Sequence, residues 1–413
     1  MINQYCRVVF LIGIVCAEII KAPSSSPFYN VVTECGAYGN GENDDTNAIA
    51  NCTNLLTETG GVLYFPPGNY LLSRTIYLSN IVKKKHLSKC EGWASTILWT
   101  FDANVFEFSQ QAVEITIEHL RFFSTNVAKS KTSAAMMFTS GLVRSFIFHV
   151  LITSEGNANA YPGSGIISKD VTDTTTFRDC LLWQITGTGI QIGYGSEVRI
   201  AGGRIIGIGN RHDGSIGIHV TGNNGGVHVD STDVIGLETG LLLDMSNGQG
   251  SNREIFITQA TFDSDNRGIA VNDSSYISVA GLWAASSDTD QIWVAPGQSN
   301  PLLVIAGGTI FNGGVYGGNI DCTTQCNGIT VNSGSFSING VDIRNNQGKG
   351  IWVPNGNVNN FVITGNKIFD NNVPYLFINP NAQYLFTNNI CNSNGALVKN
   401  ASFGTVKADN LGC

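Results

Sequence analysis

Gly189-Ile190-Gln191-Ile192, Gly217-Ile218-His219-Val220, Gly240-Leu241-Leu242-Leu243, Gly268-Ile269-Ala270-Val271, Gly328-Ile329-Thr330-Val331 and Gly350-Ile351-Trp352-Val353 repeat one pattern, a glycine followed by apolar, any residue, apolar. Gln291-Ile292-Trp293-Val294 fills the gap in the series. A second series interleaves with it through Ile200, Val229, Ile257, Val279, Ile305, Ile338, Ile363 and Phe386, at spacings of 29, 28, 22, 26, 33, 25 and 23 residues. No unit of this length buries its own apolar edge, so neighbouring coils must stack and share a core.

The strands are four or five residues long, β-branched, and bounded by Gly, Asn, Asp and Ser, as expected for short strands joined by tight turns. A leucine-rich horseshoe lacks its helical half here and a propeller lacks its blade signature. The expected fold is therefore all-β, a single-stranded right-handed parallel β-helix. Asparagine-rich turns, Asn345-Asn346, Gly365-Asn366, Asn371-Asn372 and Asn388-Asn389, recur with the coils. The 48 glycines and 13% charged residues describe a chain that turns often and has little helix surface to solvate. A solenoid of 413 residues is one domain, because each coil contacts only its neighbours. The net charge of −8 argues against a nucleic-acid or anionic-membrane partner.

Arg7, the apolar run from Val8 to Ala17 and the small-residue pattern Val15-Cys16-Ala17 read as a secretory signal peptide, too short for a membrane span of about 20 residues. The reading divides the chain into 1–17 as signal peptide, 18–85 as N-terminal cap and first coil, 86–390 as coils and 391–413 as C-terminal cap or tail. It places the mature protein outside the cell, with no membrane association after cleavage.

Eight cysteines remain beyond that segment. An even number in an oxidising compartment suggests disulfides, and proximity favours Cys35 with Cys52, Cys322 with Cys326 and Cys391 with Cys413. Cys90 and Cys180 are left for a longer link or as free thiols. No Cys-x-x-Cys or His-rich pair accompanies them, so no metal site is expected. Asn51, Asn272 and Asn400 head potential glycosylation sequons.

Between Val32 and Leu78 the repeat is silent. The stretch Cys35-Gly36-Ala37-Tyr38-Gly39-Asn40-Gly41-Glu42-Asn43-Asp44-Asp45-Thr46-Asn47-Ala48-Ile49, followed by Gly60-Gly61-Val62-Leu63-Tyr64-Phe65-Pro66-Pro67-Gly68-Asn69-Tyr70, resembles the amino-terminal signature of the pectate-lyase-like superfamily. The likeness is to the rhamnogalacturonase and epimerase type, also seen in phage tailspikes. The resemblance implies a pectin-lyase-like solenoid. Physically, the segment reads as a cap over an open end of exposed strand edges. Asp45-Thr46 starts a short capping helix with Ala48, Ile49, Cys52 and Leu55-Leu56 on one face. The family's polygalacturonase strings and its pectate-lyase Arg-x-x-Pro-x-x-Arg string are absent from the coils, so calcium has no motif to support it.

Catalysis is sought in the turns beside the strands, where side chains of successive coils stack about 4.8 Å apart. Asp213, Glu238, Asp263, Asp265 and Asp288 fall before the repeat strands of consecutive coils, with Arg211, His212 and Arg267 among them. Grouped carboxylates serve glycoside hydrolysis, one as acid and one as base or nucleophile. A lyase would instead use His212 as base and Arg211 or Arg267 to neutralise a uronate carboxylate. The bland reading is that each acid bonds its own turn.

The residue between the two apolar positions of each repeat points outward. That column reads Gln191, His219, Leu242, Ala270, Trp293, Thr330, Trp352 and Phe377, placing Trp293 and Trp352 two coils apart, a spacing suited to successive sugar rings. The alternative is that a long loop, such as Ser154 to Gly165 or the Cys322 to Cys326 excursion, covers them, or that they pack against a partner subunit. His119, His149 and His228 read as outward or satisfied histidines and not as ligands. The expectation is a secreted protein with a polysaccharide partner, a hydrolase or lyase on an acidic glycan. Its rival is a non-catalytic glycan-binding or surface protein on the same scaffold.

Overall fold

The computed structural model describes residues 27–79, 85–87, 92–244, 253–273, 276–297, 301–315, 320–354, 357–378, 383–392, 397–399 and 406–413. The expected signal peptide, Cys90 and Asn400 lie outside them. Among the described residues no helix is long and apolar enough to cross a membrane.

Among the described residues every pairing between strands is parallel, which joins them into a right-handed parallel β-helix. One long sheet takes two strands from most coils and a second sheet takes one strand from each. The glycine repeat forms the second sheet: Ile190, Ile218, Leu241, Ile269, Ile292, Ile329 and Ile351 are stacked partners in turn. The other series forms the long sheet, and each member from Ile200 to Phe386 pairs with the next. Irregular spacing in sequence is regular in space because the variation is absorbed in the turns.

The inward residues are almost all Ile, Val, Leu and Phe without solvent exposure, and they form one core along the helix axis. Phe336, Phe361 and Tyr384 show the consequence of stacking, with ring centroids 4.7 and 4.8 Å apart and planes within 5° and 2°. Several of the glycines that open second-sheet strands lie against this core. A Cβ at Gly189 would come within 2.5 Å of Ile205, and one at Gly217 within 2.3 Å of Val234.

The corner inside the long sheet has a fixed geometry. Each such corner has a residue with positive φ: His119, His149, Asp179, Gly202, Ser231, Gln259, Gly281, Gly307, Gly340, Gly365, Asn388 and Asp409, with Gly203 and Gly308 also positive beside two of them. Several of these are Gly, Asn or Asp, the residues that tolerate this conformation most cheaply. The residue that follows turns inward, and in the last coils it is asparagine. Asn366 Nδ2 donates to Asn389 Oδ1 at 2.9 Å, and Asn389 Nδ2 to Asn410 Oδ1 at 3.1 Å.

A helix covers the first coils. Helix α1, Thr46–Thr59, buries Ile49, Cys52 and Leu56 against the first coils, while Leu55, expected on that face, is 42% exposed. Asp45 does not cap α1; its carboxylate accepts the N–H groups of Tyr38 and Gly39 at 2.6 and 3.1 Å and fixes the preceding loop. Asp44 takes the Thr46 N–H instead, at 2.9 Å. The expected disulfides Cys35–Cys52, Cys322–Cys326 and Cys391–Cys413 are all formed, and Cys180 is a buried free thiol. The strands Leu397–Lys399 and Val406–Ala408 add a rung to each sheet, so the segment after Cys391 completes a coil.

Candidate functional site: a turn ridge and an outward face

The turns between the long sheet and the second sheet bring the predicted acids to one edge, then hold most of them in place. The loop between the strands Arg204–Gly207 and Ile216–Thr221 carries Arg211, His212 and Asp213. Asp213 Oδ1 accepts the N–H of Ser215 at 2.9 Å, which closes its own turn. Glu238 accepts the N–H of Gly214 in the coil before it, and its own N–H donates to Ser215 Oγ at 3.1 Å. Asp263 ends the strand Thr261–Asp263 on the outward side, half-exposed, and accepts from Ser264 Oγ at 3.0 Å.

Asp265, expected to lead the catalytic group, is corrected to a scaffold residue because it has no solvent exposure. Its position, three residues after the inward Phe262, is the position of Asn346 and Asn371 in later coils. The bond is the same as well. Leu237 N–H donates to Asp265 Oδ1 at 2.8 Å, as Gly313 N–H does to Asn346 Oδ1 at 2.9 Å and Asn346 N–H to Asn371 Oδ1 at 3.1 Å. Its second oxygen is buried without a hydrogen bond. Burial holds this carboxyl well above the usual range, with the charge of Asp263 adding to it and the Leu237 N–H and Arg211 opposing.

Asp288 is withdrawn from solvent in a different way. Arg211 Nη1 lies 2.5 Å from Asp288 Oδ1 and also donates to the Ser286 carbonyl at 3.3 Å, while His212 Nε2 lies 3.5 Å from Asp288 Oδ2. The Asp288 side chain is 5% exposed. Arg211 thus reaches over the coils of Glu238 and Asp265 to the coil beyond, and its charge serves Asp288. The expectation that Arg211 faces substrate is corrected accordingly.

The second sheet presents a different surface. Gln191, His219, Leu242, Ala270, Trp293, Thr330 and Trp352 are rung partners in that order, so Trp293 and Trp352 do stand two rungs apart on one face. The column continues with Leu376, and Phe377 pairs with Val353 in the inward column, one residue from the place expected. Both indoles are half-buried. The Arg267 guanidinium carbon lies 4.4 Å from the Trp293 ring centre, and Lys349 Nζ lies 4.4 Å from that of Trp352.

Arg267, Asp290, Asn327 and Lys349 occupy corresponding places where successive strands begin, as the bonds from Gly268 N–H to the Asp290 carbonyl and from Lys349 N–H to Asn327 Oδ1 require. Burial lowers Arg267 against the pull of Asp290 and Glu238, and lowers Lys349 against Asp290 and Asp321. Asp290 is raised by burial and held by the Asn327 N–H at 2.8 Å. This column of two cations around one anion was not anticipated, although the register that reveals it follows from the glycine repeat.

His219 Nε2 lies 3.0 Å from Asp244 Oδ1, a close electrostatic contact off the line of a hydrogen bond. This pair also escaped the sequence reading, which placed His219 in the outward column without a partner. Among the described residues no three His, Cys, Asp or Glu side chains come together to hold a metal ion.

Residues 28–87 match the family model described as Rhamnogalacturonase A/epimerase, pectate lyase-like. The fold is similar to that of the Azotobacter vinelandii mannuronan C-5 epimerase AlgE6 A-module, with a TM-score of 0.63 at 14% identity over 92% of this chain and 99% of that one. It is similar to pre-mature bacteriophage phi29 gene product 12, with a TM-score of 0.54 at 14% identity over 98% of this chain and 59% of that one. It is also similar to the catalytic unit of a thermostable GH87 alpha-1,3-glucanase from Streptomyces thermodiastaticus strain HF3-3, at 0.50 and 14% over 94% and 69%. No curated protein matches the chain by sequence. The amino-terminal segment is pectate-lyase-like, and the coils are those of a parallel β-helix.

Proposed function

We propose that the protein is secreted and binds an acidic polysaccharide along the outward face of the second sheet. The observation that carries this reading is the pair of cation-bearing tryptophans two rungs apart, Arg267 on Trp293 and Lys349 on Trp352. Two rungs are about 10 Å, close to the length of two sugar residues. An indole offers an apolar plane to a sugar ring, and Arg267 offers a counter-charge to a uronate carboxylate, while the buried Lys349 amine already donates to the Thr323 carbonyl. Asp213, Glu238, Asp265 and Asp288 are engaged in backbone bonds or an ion pair, and Asp263 stands half-exposed with a bond from Ser264 Oγ, which supports binding over hydrolysis by a carboxylate pair.

A second reading has one specific observation in its favour. On the same face the Asp244 carboxylate lies 3.0 Å from His219 Nε2, placed to stabilise the imidazolium formed when His219 takes the proton beside a uronate carboxylate in a lyase or epimerase reaction.

The test is titration of the secreted protein with polygalacturonate, alginate and a neutral β-glucan, with products scored for reducing ends and for unsaturated uronides. Binding to the polyuronates that weakens about tenfold in Trp293→Ala and in Trp352→Ala, and weakens with salt, is the expected result. Equal affinity for the neutral glucan, or no effect of either substitution, would refute it. Product formation lost in His219→Gln with binding kept would establish the second reading.

A further inference from the structure

The histidines at the corner of the long sheet lie in register, which the sequence reading did not foresee. His119 and His149 occupy the same corner position in adjacent coils, with φ of 57° and 53°, and His119 N–H donates to the Phe148 carbonyl one coil on. Their Nδ1 atoms are 3.3 Å apart, with ring centres 5.0 Å apart and planes at 75°. We propose that His119 and His149 form a two-imidazole site for a divalent transition metal of the zinc or copper kind.

Imidazole nitrogens bind zinc at about 2.0–2.1 Å. Two donors 3.3 Å apart then subtend about 107° at the metal, close to the tetrahedral angle. The rings are held for this before any ion arrives. His149 stacks on Phe148 at 4.5 Å and 5°, and His119 meets the edge of the same ring at 5.2 Å. Trp93 lies on the outer side, its indole N–H bonded to the His149 carbonyl at 3.0 Å. Both imidazoles are half-exposed, which leaves room for water to complete the coordination.

The charge beside the site is mixed: Glu118, the last residue of its strand, precedes His119, and the Arg178 guanidinium carbon lies 5.8 Å from the centre of the Phe148 ring. On binding, the proton shared between the two Nδ1 atoms moves through water to an Nε2, and both Nδ1 lone pairs face the metal. The ion bridges two coils that are otherwise joined there by backbone bonds.

The experiment uses the full, untagged chain titrated with copper(II) and with zinc(II), followed by calorimetry, by the copper spin-resonance spectrum and by thermal unfolding. The variants are His119→Asn and His149→Asn, chosen because Asn388 holds the same corner position in a later coil, with His228→Gln as control. One ion per chain is expected, with a spectrum showing two equivalent nitrogens and a higher unfolding temperature. Each asparagine variant should weaken binding at least about tenfold, and the control should not. Absence of saturable binding below about 1 mM, or binding unchanged in both variants, overturns the proposal. If either variant misfolds, the wild-type spectrum decides, and a copper centre without two nitrogen ligands overturns it.

Discussion

Replacing Asp265 by asparagine should stabilise this protein at neutral pH and leave any glycan chemistry intact. The substitution keeps the acceptor for the Leu237 N–H and exchanges a buried oxygen without a partner for an amide donor. That donor has a target by analogy. Asn371 Nδ2 donates to the Ile343 carbonyl of the coil before it at 3.0 Å, and Val234 is the residue in the corresponding rung for position 265. An unsatisfied buried polar group costs about 1–3 kcal/mol. At about 2.1 cal/mol/K per residue, a chain of 413 residues has an unfolding entropy near 0.9 kcal/mol/K, so the midpoint should rise by about 2 °C.

The pH dependence distinguishes this account from a simple repacking. The Asp265 pKa is raised in the folded state, so between the unfolded value near 4 and the folded one the native protein keeps a proton that the unfolded chain releases. The wild type therefore loses stability as pH rises through that window, and the asparagine variant does not. Paired melting curves from pH 4 to pH 8 should diverge upward for the variant and meet at the acid end. A variant less stable than wild type at pH 7, or one that folds normally but loses a measured catalytic activity, refutes the scaffold role.

Arg211→Ala leaves the buried Asp288 carboxylate with its principal counter-charge removed, and chemical denaturation should report a loss of about 3–5 kcal/mol. Arg211→Lys should recover only part of it, since the guanidinium also bonds the Ser286 carbonyl. Asn389→Ala removes the acceptor shared by the backbone and side chain of Asn366, together with its own donor to the Ile363 carbonyl, and should cost about 2–3 kcal/mol by the same measurement. Opening the Cys35–Cys52 link by a double serine substitution should lower stability by about 3 kcal/mol, given the 17-residue separation, and increase protease cleavage near α1.

Two strand series were legible because a solenoid writes its stacking register directly into sequence. Ile200 to Phe386 pair member by member as the spacing implied, and the glycine repeat gave the second sheet up to Trp352. The third set of strands was not legible, since pieces such as Thr261–Asp263 and Lys367–Phe369 are too short to show a period. The register placed the acids on one edge, but their hydrogen-bonded states were not legible. Nothing in Asp265 separates an inward turn residue from an outward acid until its rung with Asn346 and Asn371 is known. Gln291 illustrates the same limit: it holds a glycine position because its side chain accepts from Ser287 and donates to the Phe311 carbonyl, which a periodicity cannot announce.

The reach of Arg211 has a mechanical consequence. In a stack where each coil touches only its neighbours, pulling on one end should peel the coils off singly, each rupture small and independent of the next. A side chain anchored on one coil and bonded two coils past its neighbour converts that stretch into a single brace, so the coils from Arg211 to Asp288 should rupture together as one large event between runs of smaller ones.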